Sequence, residues 1–69
     1  MWAFIVCRNN IPEQVKIFDN YWLGAKHADL FVESIYPDMK DQQMPEYNRG
    51  EIFSRDDITI GLYSILGIT

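Results

Sequence analysis

The stretch that decides the fold is residues 19–37, Asp-Asn-Tyr-Trp-Leu-Gly-Ala-Lys-His-Ala-Asp-Leu-Phe-Val-Glu-Ser-Ile-Tyr-Pro. Tyr21, Gly24, Ala25, Ala28, Phe31, Val32 and Ile35 recur at the three-and-four spacing of an amphipathic helix. Asp19 or Asn20 can cap its start, and Pro37 stops it. The small residues Gly24, Ala25 and Ala28 let its first half approach a neighbouring layer closely. On the opposite side stand Leu23 and Leu30, seven residues apart, with His27 and Ser34 between and beyond them. Trp22, Lys26, Asp29 and Glu33 form the adjoining stripe, with Trp22 four residues before Lys26, where a cation–π contact can form.

Working outward, residues 2–7, Trp-Ala-Phe-Ile-Val-Cys, are an unbroken apolar run rich in β-branched and aromatic side chains. They predict a central strand covered on both faces. Asn9, Asn10 and Pro12 form turns, after which residues 14–18 pair back through a loop longer than the ideal hairpin. A rival reading starts a helix at Asn10, with Glu13 completing a capping box and Ile11, Val15, Phe18 and Trp22 on one face. Residues 37–50 read as a long loop, a segment type that often carries binding. Residues 51–53 add a short third strand. Ser54 and Asp57 resemble a capping box for a second helix carrying Ile58, Gly61, Leu62 and Ile65 and closed by Gly67, although Ile58-Thr59-Ile60 also alternates as a strand. The expected fold is α+β: one domain over residues 1–69, a small antiparallel sheet of about three strands, and the order β-β-α-β-α.

The 69 residues give a thin core, because chains this short bury only about 60% of their unfolded surface. The balance of 48% hydrophobic and 23% charged residues is nevertheless that of a folding chain. Ten acidic residues against six basic ones give a net charge of −4, and no Lys/Arg cluster exists to follow a phosphate backbone or an anionic membrane. Direct nucleic-acid or membrane binding is therefore not expected. The opening apolar run is too short for a signal sequence or a membrane span of about 20 residues. With Cys7 alone, neither an intrachain disulfide nor a Cys-based zinc site can form, and the cytoplasm is the expected compartment.

Catalytic chemistry finds little footing. His27 is the only histidine, so no histidine pair can hold a metal, and a lone helical histidine is usually a packing or solvated residue. Cys7 lies in an apolar strand that hides a thiol, and a Cys7/His27 pair would still need a third group. Asp38, Asp41, Glu46, Glu51, Asp56 and Asp57 do not have EF-hand spacing. Asp56 and Asp57 in a first helical turn would complement the helix dipole. Gly24, Gly50, Gly61 and Gly67 are scattered singly, so no glycine-rich phosphate loop exists. No catalytic residue, cofactor or metal site is expected.

What remains is an apolar surplus available for contact: Trp22, Leu23, Lys26, Leu30 and Glu33 on the helix, Met44, Tyr47 and Arg49 in the loop with Met39 nearby, and Tyr63 beside Ile60 in the C-terminal segment. Aromatic residues and arginine dominate binding energy at interfaces, and methionine adapts to irregular partners. The expected function is a non-enzymatic protein-binding protein, with a homodimer as the simplest use of the C-terminal apolar surface. In class it is analogous to virus- or mobile-element-encoded inhibitors that block a host protein complex, acting in the host cytoplasm. The competing expectation is an assembly subunit consumed by its own copies, and last comes an enzyme built on His27 and carboxylates.

Overall fold

The computed structural model describes residues 1–65. The elements run β1 (Trp2–Arg8), β2 (Ile11–Phe18), α1 (Tyr21–Ile35), β3 (Phe53–Arg55) and β4 (Ile58–Ser64), with single 3-10 turns at Pro37–Asp41 and Tyr47–Arg49 breaking up the long connection. The fold is α+β, and its antiparallel sheet has four strands in the order β2-β1-β4-β3 rather than about three.

The β1–β2 turn is tight. Asn9 and Asn10 have φ of 53° and 65°, the left-handed pair that a two-residue type I′ hairpin requires and that asparagine tolerates. Pairing therefore starts at once, Arg8 with Ile11, and β2 begins three residues before the expected Gln14. The register shifts between Val6 and Cys7, leaving Glu13 as an extra residue opposite them, and Glu13 ion-pairs with Arg8 at 2.9 Å. Pro12 is accommodated because β2 is an edge strand.

Asn20 is the helix cap: its side-chain oxygen accepts from the Leu23 N–H at 3.0 Å. At the other end the Tyr36 N–H donates to the Val32 carbonyl at 2.8 Å, and Pro37 prevents continuation. The Tyr36 hydroxyl donates to the Asp56 carboxylate at 3.0 Å, and the Arg55 guanidinium lies 4.3 Å from the Tyr36 ring centre and 3.0 Å from Asp38. The β3–β4 turn is thereby tied to the helix end.

Residues 58–64 form a strand, not the second helix, and Gly67 lies outside the described residues. Three causes act together. Ile58, Thr59 and Ile60 favour a pleated strand, and Gly61 costs about 1 kcal/mol in a helix interior. Asp56 adopts φ 55°, so Asp56 and Asp57 form the two-residue turn that pairs Arg55 with Ile58, and Ser54, expected as the cap, lies in β3 opposite Thr59. Finally β1 supplies a full ladder to β4, from Trp2 opposite Ser64 to Arg8 opposite Ile58. Ile58, Ile60 and Leu62 then point to the helix, so Ile60 is a core residue.

The core lies between α1 and one face of the sheet, where Phe4 and Val6 of β1 meet Ala28 and Val32 of α1. Phe53 and Tyr47 complete it, and Met39 and Met44 fold back against its edge. Gly24 is buried because a Cβ there would stand 2.7 Å from a Leu62 methyl. Ile35, expected on the core stripe, is 37% exposed. β1 is central as expected, but α1 covers only one of its faces. Ile5 and Cys7, on the other face, are half-buried.

Candidate functional site

The residues named from sequence divide among three places. On the side of α1 away from the sheet, Leu23 and Leu30 are 51% and 56% exposed, with Lys26 exposed between them and Glu33 partly buried at the flank. Trp22 is the most exposed large apolar side chain of the described residues, at 78%. Its ring meets Tyr21 edge-on at 5.5 Å, and Tyr21 meets Trp2 at 5.0 Å. The aromatic row runs from the sheet to the helix surface. Lys26 does not lie over the Trp22 ring; the cation–π contacts among the described residues are Lys16 with Phe18 and Arg55 with Tyr36.

The second place is the loop. Arg49 is exposed and ion-paired to Glu46 at 3.0 Å, and both line a cleft of about 210 Å³ with Tyr21, Trp22 and Asn48. The fold thus joins Trp22 to Arg49, which are distant in sequence. Met44 is half-buried beside Ile52 in a depression of about 480 Å³. Tyr47 is only 3% exposed and belongs to the core, so it offers no contact surface. The third place is the far side of the sheet, where Tyr63 is exposed with its ring over Gly61.

Two titratable groups flank the buried stripe of α1. His27 leans toward the sheet rather than outward, with its ring 4.7 Å from Phe4 and 5.1 Å from Phe18, and its Nε2 is buried without a partner. Burial, helped by the Lys16 charge, lowers its pKa and favours neutral imidazole. Asp29 occupies the other flank; its Oδ1 is buried without a partner, and so is the Tyr47 hydroxyl. Burial, and secondly Glu33, raises the Asp29 pKa, while burial followed by Asp29 raises that of Tyr47. Cys7 and His27 lie on opposite faces of the sheet, since His27 packs on Phe4 and alternation turns Cys7 the other way. Among the described residues no three His, Cys, Asp or Glu side chains are grouped to hold a metal ion. No helix of the described residues is long and apolar enough to cross a membrane.

Comparison with protein-family models, curated proteins and solved structures gives no match. The surfaces must be read from their own chemistry.

Of the surface on the far side of the sheet, sequence reading found Tyr63 alone. Opposite residues in paired strands share a face, so Ala3, Ile5 and Cys7 of β1 stand with Val15 and Ile17 of β2 and with Thr59, Gly61 and Tyr63 of β4. No helix or strand of the described residues packs on this side: Val15 is 60% and Ile17 49% exposed, while Ala3 is buried and the Tyr63 ring covers Gly61. The available signal was the opening run itself, apolar at odd and even positions alike.

The flanking groups give opposite pH dependences. The raised Asp29 pKa contributes stability that is full below the unfolded carboxyl value of about 3.9 and is lost as pH rises through the folded value. The lowered His27 pKa contributes stability present above about 6.5 and lost as pH falls toward its folded value. Asp29→Asn, which removes the buried charge but keeps the shape, should raise the melting temperature by a few degrees at pH 7 and by less at pH 4. Melts at the two pH values check this, and an equal shift at both contradicts it.

Proposed function

We propose that this chain is a non-enzymatic protein-binding domain that contacts its partner through the outer face of α1 and the adjoining cleft. The observation that carries this reading is Trp22, 78% exposed and continuous with Leu23 and Leu30 on one side and with the Arg49 cleft on the other. A solvated helix has no use for this cluster, whereas tryptophan and arginine at the centre of an interface account for much of its binding energy. Lys26, Glu33 and the Arg49–Glu46 pair supply the polar rim. With ten acids against six bases, the surface suits a partner with a basic groove, as an inhibitor of a nucleic-acid-processing or defence complex would meet in a host cytoplasm.

The test compares capture of bound proteins by the wild-type chain with capture by Trp22→Ala and Leu30→Glu. Because these side chains are largely exposed, each variant should melt within a few degrees of wild type. Recovery of the partner should fall at least tenfold in both. Undiminished recovery by folded variants removes this surface as the contact.

A further inference from the structure

The strongest unused feature is the side of the sheet opposite α1. Ten residues of the described strands stand there by register, from Pro12 across Val15, Ile17, Ala3, Ile5, Cys7, Thr59, Gly61 and Tyr63 to Ser54, and none is charged; the bulged Glu13 at the corner beside Pro12 is ion-paired to Arg8. The whole chain has 16 charged residues, six basic and ten acidic. Their scarcity on this sheet face is the mark of a surface that loses its water on binding. A partner recognised by ion pairing would find only Glu13, already paired with Arg8 at 2.9 Å.

We propose that this face is covered by a second copy of the chain, stacked sheet on sheet about a two-fold axis to give helix–sheet–sheet–helix layers. Three observations favour that occupant. The relief is uneven: in the row Ile17–Ala3–Tyr63, small Ala3, only 7% exposed, lies between two large, half-exposed neighbours, which are the side chains a second copy would meet. The size lies at the lower limit. Three strands of seven or eight residues and the three-residue β3, about 4.8 Å apart, present roughly 380 Å² in projection, which side-chain relief brings toward the roughly 600 Å² per partner at which specific interfaces begin. The charge is also disposed suitably: a chain of net charge −4 meets its copy through a face whose one acidic neighbour, Glu13, is ion-paired at its corner. The isologous contact closes at two copies. Because it uses the side of the sheet opposite the helix, it stands independently of the proposed partner surface.

The test is light scattering and sedimentation of the full chain from about 10 to 500 μM, with Ile17→Lys and Val15→Lys as disrupting variants and Leu30→Glu as control. Both disrupted positions are at least 49% exposed on an edge strand, and circular dichroism verifies that the variants fold. The expected wild-type species has twice the 8.1 kDa mass of the chain, with a melting temperature that rises with concentration. Both lysine variants should run as monomers, with dissociation constants weakened at least 100-fold, while Leu30→Glu stays dimeric. A wild-type monomer throughout the range overturns the proposal, even if Ile17→Lys then loses a different protein as partner. A dimer that survives both lysine variants also overturns it, as does one broken by Leu30→Glu alone. If Ile17→Lys is monomeric yet still captures the helix-face partner, the dimer stands apart from that binding.

Discussion

Phe4→Ala should remove about 3–5 kcal/mol of stability, close to everything a domain of this size holds, since 69 residues at 0.05–0.15 kcal/mol each give roughly 3–10 kcal/mol. Phe4 is fully buried in the central strand and meets both flanks of α1's inner face, His27 edge-on at 4.7 Å and Phe31 at 5.6 Å. Truncation leaves a cavity between layers that cannot close without moving the helix. Urea unfolding should show the midpoint falling steeply with little change in slope. A loss below about 1.5 kcal/mol, the cost of a minor core trim, would mean that α1 does not rest on β1.

Gly24→Val should be nearly as damaging for the opposite reason. A Cβ at this position already stands 2.7 and 3.2 Å from the two Leu62 methyls, and Leu62 is itself only 3% exposed, so it has little room to yield. For Ala, a gain of about 1 kcal/mol in helix propensity offsets much of that crowding. Valine gains less propensity and adds two methyls to the collision. Overpacking of this kind costs about 3 kcal/mol, or roughly 12–24 °C in melting temperature for a chain this short. Thermal melts of the Ala and Val variants side by side separate the two effects, and equal midpoints would show that the layers are not in contact there.

The helix was legible because several signals agreed. Its buried stripe, its asparagine cap and its proline stop all act within one segment, and the structure places each where the spacing puts it, apart from the more exposed Ile35. The last strand was illegible because Ile58, Gly61, Leu62 and Ile65 satisfy a helical period while Ile58, Ile60 and Leu62 satisfy a strand period. What decides between them is β1, some 55 residues earlier, and no local window contains it. The tight first turn was hidden by Pro12, which argues against a strand until that strand is known to lie at an edge.

For the candidate surface, the outward helix residues followed directly from the period, so Trp22, Leu23 and Leu30 were found. His27 and Asp29 were not resolved, since both lie at the margin of the stripe, where small differences in the neighbouring layer decide whether a polar group is wetted. Tyr47 looked like a loop residue and is core, because the 3-10 turn at Tyr47–Arg49 folds the loop inward over the helix and β4.

The two outer strands share a property with a consequence for behaviour at high concentration. β2 presents Pro12, an irregular register at Glu13 and the charge of Lys16 along its free edge, and β3 at the other edge is three residues long. Each device makes a poor template for an added strand. The exposed valine and isoleucine of β2 would otherwise invite the hydrogen-bonded growth that builds cross-β fibrils. With both edges blunted, molecules can meet through their faces but have no backbone ladder along which to polymerise.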